Sequence, residues 1–479
     1  MRQETSNGKT AKTNGPVIVL ELNELCPPIL DRMMQKGALP NFSRLHAKSD
    51  VHVTWTDDQD LEPWVQWVTL HTGERQDLHG AKELDEGYRI KTPRIWEKLA
   101  ERGITSLIFG SMNAQPATKN VYLVPDPWSK RVLPSDPAFM PFHNFVSFFV
   151  NEHTSKTAKP DRKTIARFAR FMLGHGLSLG TIVTAVKQLV GEKLSGRDLK
   201  WRRALVLDLI MWDVFEHEYR RQKPMFATFF ANSTAFLQHR YWRHMQPEVY
   251  SVKPSARDMA SYGDAIEYSY RHMDQLVARA ERMAGPSGRV VLATALSQEA
   301  NLRYEDIGGK YVHRPHSFEK FGAWLNGPHG ITYEPVMTHQ AWASCRNEED
   351  AAALGASLAA LEADGKPIIY WRRAGARVFF CCQVKSQVSD DLEIVNTKTG
   401  ARIRFKEVFA LVGQVNNSQH NRNGALWLER SDAAGKVHGS KLPLEQGTAL
   451  LLGMFAGQGI AEAPRGPQRT PVAQPAAAE

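Results

Sequence analysis

Four ionisable side chains in this 479-residue chain stand where acid–base or ligand chemistry is feasible: Glu24, Glu62, His239 and His420. Glu24 follows the apolar run Val17 to Leu22 and Asn23, and Glu62 precedes Pro63 and a helix-like stretch containing Trp64 and Trp67. His239 lies in the polar cluster Asn232 to Trp242 that follows Met225 to Phe230, and His420 in the polar loop Asn416 to Gly424. Two carboxylates such as Glu24 and Glu62 can act as acid and base, or as acid and nucleophile, on a glycosidic linkage without a metal. Their polar neighbours are of the types that bind sugars. The amides of Asn23, Asn232, Gln238 and Gln298 bridge hydroxyl groups, Ser233, Ser297 and Glu299 add further polar contacts, and the indoles of Trp64 and Trp67 offer flat faces to pyranose C–H surfaces. Structural roles compete with each reading. Asn23 can cap a helix with Glu24 solvated, Glu62 can be a turn residue, His239 can pack in the core beside Tyr241 and Trp242, and His420 can share a tight turn with Arg422 and Gly424. His71, His79, His313 and His316 show no spacing that separates them from surface histidines.

The elements that must gather these residues are strands with polar tips. Val17 to Leu22, after Gly15-Pro16, reads as a buried parallel strand, as do Thr105 to Gly110, Met225 to Phe230 and Arg289 to Thr294. Val51 to Trp55 alternates as a strand, and the spacing predicts helices over 92–102, 256–284, 351–363 and 444–455. Repeated strand, polar tip and helix units predict an α/β fold: a mainly parallel central sheet flanked by helices, with a site along the carboxyl edge of its strands. Residues 144–222 turn basic and strongly helical, which predicts a helical insertion or cap between core segments 16–143 and 223–458. That insertion reads as a packing layer, a lid, or a basic surface for peripheral contact with an anionic membrane.

Composition narrows the partners. With 42% hydrophobic and 23% charged residues the chain is an ordinary globular one. A formal charge of +9 draws anionic or sugar-containing small molecules and glycans. No aromatic-interleaved basic motif appears, so nucleic acid is not an expected partner. Residues 1–15 are polar without an apolar segment, and 459–479 are rich in Pro and Ala; they read as a disordered leader and tail, and the expected location is cytoplasmic. The cysteines Cys26, Cys345, Cys381 and Cys382 lack paired ligand spacing and read as reduced, buried thiols.

Several motifs, taken in order, resemble the alkaline phosphatase superfamily, in particular its type I phosphodiesterases and nucleotide pyrophosphatases. They are Leu39 to Leu45, Trp67 to Gly73 with His79-Gly80, Arg94 to Leu99, Gln238 to Trp242, Tyr270 to Asp274, and His420 with Gly424. The resemblance spans most of residues 17–140, 223–300 and 405–455. It implies an alkaline-phosphatase-like α/β core and a hydrolase or transferase acting on a phosphoester, phosphodiester or related anion. Members of that superfamily hold two divalent metals through aspartates and histidines and attack with Thr or Ser. At the matching positions this chain has Asn23, Glu62-Pro63, Ala235 and Ser297-Gln298, and His239 and His420 alone stand where metal ligands are expected. The departures imply at most one divalent metal in place of two, because amides and alanine supply no carboxylate to balance metal charge. Three functions follow: an altered-site hydrolase or transferase, a metal-independent enzyme acting on a glycosidic linkage, or a non-catalytic binder. The polar character of every strand tip argues against the third.

Overall fold

The computed structural model describes residues 15–151, 160–307, 310–336, 339–414, 417–430 and 437–456; the expected leader, apart from Gly15, and the expected tail lie outside them. The main sheet has eight strands. From one edge they are His438–Pro443, Ser49–Trp55, Asn423–Glu429, Arg289–Ala293, Val17–Leu22, Phe226–Ala231, Ser106–Phe109 and Val121–Val124. Asn423–Glu429 runs antiparallel to both neighbours, and the remaining pairings are parallel. The chain is thus a mixed α/β protein built on a large, mainly parallel sheet.

Val17–Leu22 is central because it can be. All six of its residues are buried, and it pairs in register with Phe226–Ala231 on one side and Arg289–Ala293 on the other. Its side chains alternate between two cores: Ile18, Leu20 and Leu22 meet Phe42, Phe229 and Tyr270, whereas Val17 and Val19 meet Trp67, Trp96 and Phe230. A strand covered on both faces needs this continuous apolar run. Glu21 is the exception, and its carboxylate is compensated by His71 Nε2 at 2.7 Å and by the Ser111 hydroxyl, which donates at 2.8 Å. His71 and His79 are both buried, contrary to the surface reading; His79 Nε2 lies 3.0 Å from Thr69 Oγ1.

Several elements differ from expectation. The predicted helix over 256–284 is two, Ala256–Tyr262 and Ala265–Ala284, and the last helix is Gly447–Gly453. The polar loop of residues 416–424 contains a strand, Ser418–Asn421, paired antiparallel with Ser297–Ala300 so that His420 faces Gln298 in register. Gly424 follows this ribbon where a Cβ would lie 2.8 Å from Thr54 Oγ1 and 2.9 Å from Ala295 O, so only glycine lets the chain rejoin the sheet there. Within the segment 223–458, Phe321, Leu354, Phe380 and Phe405 gather in a separate core beside two four-stranded antiparallel sheets. In the 144–222 segment, Arg203–Gln222 packs Trp212 and Phe215 on Phe229, Arg162–Gly174 packs on Met140–Asn151, and Leu179–Leu194 packs on Arg203–Gln222. Among the described residues no helix is long and apolar enough to cross a membrane.

Candidate functional site

Strand ends and the ribbon bring Glu24, His239, His420 and Glu62 to one place. Glu24 follows the central strand with a left-handed backbone, φ 59°, an uncommon conformation for a residue with a Cβ. Its carbonyl accepts from Gln238 Nε2 at 2.9 Å, and Tyr270 OH donates to Gln238 Oε1 at 2.7 Å while accepting from the Cys26 amide at 2.8 Å. These bonds hold the turn that aims the Glu24 side chain inward. His239 lies on helix Ser233–Met245, and its carbonyl accepts from the Asn417 amide at 2.8 Å, which ties the helix to the ribbon carrying His420.

Glu24 is 2% exposed and fully engaged. Asn23 Nδ2 donates to Glu24 Oε1 at 2.8 Å, and Gln298 Nε2 donates to Oε2. His239 Nε2 and His420 Nε2 lie 3.3 and 3.5 Å from the same Oε2. The two rings meet edge to face at 5.2 Å. Burial alone would raise the carboxyl pKa; the charge of His420, the hydrogen bond and charge of His239 and the Gln298 amide outweigh it and bring Glu24 down to about 2. Burial pulls His420 below its ordinary range against the opposing pull of Glu24. Glu62 sits at the rim, 42% exposed, with Oε2 3.9 Å from His420 Nδ1. Partial burial and then the Glu24 charge push its carboxyl up to about 7. His420 therefore lies between a carboxyl lowered by its imidazole and amide contacts and one raised by burial and the neighbouring charge.

Other expected residues fall into two groups. Asn23, Asn232, Gln238 and Gln298 belong to the network: Asn23 Nδ2 also donates to Asn232 Oδ1 at 2.8 Å, and Gln298 Nε2 also reaches Ala235 O at 3.1 Å. The rest depart from their expected roles. Trp67 is fully buried and its indole N–H donates to Asn23 Oδ1 at 2.8 Å, so it positions the site instead of offering a face to a sugar. Trp64 packs partly into the core with its N–H on Lys82 O at 3.1 Å. Ser233 turns away and donates to buried Asp208, with His272 Nε2 3.8 Å from the same carboxylate oxygen. Glu299 is exposed and accepts from Gln419 at 2.8 Å and Asn421 at 2.5 Å, while Ser297 alternates with Gln298 onto the other face of the ribbon.

The sequence reading missed Ser418, whose hydroxyl donates to Gln298 Oε1 and lies 3.3 Å from His239 Nδ1. It also treated Cys26 only as a buried thiol, whereas its Sγ lies 3.2 Å from Gln298 O, with burial pushing the thiol up to about 12. All four cysteines are free; Cys345 is partly exposed, and the other three are buried. A cleft of about 800 Å³ lined by Pro16, Tyr219, Lys223 and Arg279 opens at the amino ends of the strands, opposite the cluster.

One divalent ion suits the donors present. Ligand atoms of Glu24, His239 and His420 lie within 4.8 Å of one another, a carboxylate and two imidazoles of the kind that hold a single ion. Among the described residues this is the one such group, and Asn23 and Gln298 beside it donate their amides to Glu24.

No family model and no curated protein matches the sequence. Among solved structures the chain is similar to phosphonoacetate hydrolase from Sinorhizobium meliloti 1021 in complex with phosphonoacetate, at 11% identity over 94% of this chain and 98% of that one, TM-score 0.42. It is also similar to murine ectonucleotide pyrophosphatase/phosphodiesterase 5, at 9% identity over 94% and 97% of the two chains, TM-score 0.40. The human form matches at 10% identity over 94% and 96%, TM-score 0.38.

Proposed function

We propose that this protein is a hydrolase, or a transferase using the same first step, that cleaves a phosphoester, phosphodiester or related anionic linkage between Glu24, Glu62, His239 and His420. The observation that carries the proposal is the pair of carboxyls with separated pKa values, one near 2 and one near 7, on either side of His420. Acid–base catalysis at neutral pH needs a group able to give and take a proton there, and Glu62 at the open rim has that property. In this reading Glu24 orients the two imidazoles, which face the reacting oxygens. The positive net charge favours an anionic substrate. A single divalent ion held by Glu24, His239 and His420 would supply Lewis-acid polarisation of a substrate oxygen.

The test is a screen of aryl phosphates, phosphodiesters, sulfates and aryl glycosides with the wild type, Glu62→Gln and His239→Ala. Turnover of the accepted substrate falls by about 100-fold or more in each variant. Unchanged turnover in both removes these residues from the chemistry. A second reading, metal-independent cleavage of a glycosidic bond in a glycan or glycoconjugate, is favoured by the amide donors that occupy both oxygens of Glu24. Hydrolysis of an aryl glycoside that survives chelation selects it; phosphoester hydrolysis that stops on chelation selects the first.

A further inference from the structure

Of the two consecutive helices Arg162–Gly174 and Leu179–Leu194, the first buries Phe171 and Met172, whereas the second has its apolar residues outside. In the second helix Leu179, Ile182, Val183, Val186, Leu189 and Val190 recur at helical spacing on one face and are between 39% and 80% exposed. The polar face is the one laid on the protein. Thr181 is buried, Gln188 Nε2 donates to Leu199 O at 2.7 Å, and the Glu192 carboxylate pairs with Arg203 at 2.6 Å. This reverses the orientation of an ordinary surface helix, whose apolar stripe faces the core. Ile165 and Leu173 on the first helix are exposed as well, Leu173 at 81%. A contiguous apolar surface of this kind marks a contact site.

Charge identifies the occupant. Arg162, Lys163, Arg167, Arg170, Lys187 and Lys193 are exposed around the patch, and Glu192, already paired with Arg203, is the one carboxylate in the sequence from 162 to 194. A second copy of this chain would bring an identical positive rim against this one, which like-charge repulsion opposes. An acidic lipid surface satisfies both features: apolar side chains enter the boundary with the acyl chains, and the cations meet the headgroups. We propose that helix Leu179–Leu194, together with the basic side chains of the helix before it, docks the protein on an anionic bilayer, lying in the interface with its apolar stripe down. This docking is independent of the chemistry assigned to the strand-tip site.

Co-sedimentation of the full chain with vesicles tests it. The wild type binds phosphatidylcholine vesicles containing phosphatidylserine, binds phosphatidylcholine alone far less, and is released by salt. Val186→Glu/Leu189→Glu, at exposed positions that leave the thermal melt unchanged, lowers the bound fraction by about tenfold, and Arg167→Glu/Arg170→Glu weakens binding to acidic vesicles. The proposal is overturned by absence of binding to phosphatidylserine vesicles at low salt. It is equally overturned by undiminished binding of the Val186/Leu189 variant, or by a wild-type dimer that the same variant converts to monomer while vesicles bind neither form.

Discussion

Replacing Glu24 by Gln preserves the side chain's shape and removes its charge from between His239 and His420. The carboxyl is lowered in the folded protein from 4.5 to about 2, because the imidazole and amide contacts outweigh the cost of burial. At 1.36 kcal/mol per unit, the ionised form is favoured in the fold by about 3 kcal/mol relative to its exposed state. The sign follows from the depressed value: this stability is present above the unfolded pKa near 4.5 and is lost as pH falls through about 2. It is fully present in mildly acidic solution above that unfolded value. At higher pH the bonds from Asn23 and Gln298 remain, each charge-assisted contact contributing about 1.5–3 kcal/mol. Urea denaturation at about pH 5.5 therefore finds the Gln variant less stable by about 3 kcal/mol, with the gap closing toward about pH 3. A variant as stable as the wild type at the higher pH, or more stable, would refute the clamp. Glu24 would then be an uncompensated charge, and the assignment of separate protonation states to Glu24 and Glu62 would fall with it.

Three further outcomes follow from the same coordinates. His71→Ala strands the buried Glu21 carboxylate and destabilises by about 3–5 kcal/mol in guanidinium unfolding; a loss near zero means the pair carries no net charge. Asp208, buried with Ser233 and 3.8 Å from His272, is raised by burial to about 7. Its proton-linked stability is present below the unfolded value of 3.8 and is lost as pH rises through about 7, so Asp208→Asn gains on the wild type between about pH 4 and 7. A difference that does not vary with pH contradicts this. Calorimetric titration with zinc or manganese finds no more than one site per chain, abolished by His420→Ala, and two sites would show that the donor set has been misread.

Much of the architecture is legible in the chain because parallel strands covered on both faces are specified locally. Val17 to Leu22, Phe226 to Ala231 and Arg289 to Ala293 are apolar but for Glu21, Thr228 and Arg289, and their polar tips mark the edge where Glu24, Asn232 and Gln298 converge. The partnership of Glu21 with His71 also left a local trace: a carboxylate inside a run that must be buried needs a compensating group. That signal passed unread beside the stronger apolar pattern.

Other features are decided only by long-range packing. Trp64 and Trp67 look alike in sequence, yet one lies half open on Lys82 and the other is sealed against Asn23, because helix Pro63–Thr72 is apolar nearly all round and periodicity assigns it no outer face. The ribbon that presents His420 pairs segments about 120 residues apart, and its polar side chains show no hydrophobic alternation to announce a strand. Leu179–Leu194 is visibly amphipathic in sequence. Whether its apolar stripe turns inward or outward depends on Glu192 finding Arg203 and Gln188 finding the Leu199 carbonyl, contacts that exist only once the preceding and following helices have packed. The sequence by itself determined the apolar core strands, the main helices and which strand ends are polar, since those follow from residue type and period. Tertiary structure alone decided which polar ends meet and which apolar face meets solvent, since both depend on groups distant in the chain that come within a few ångströms on folding.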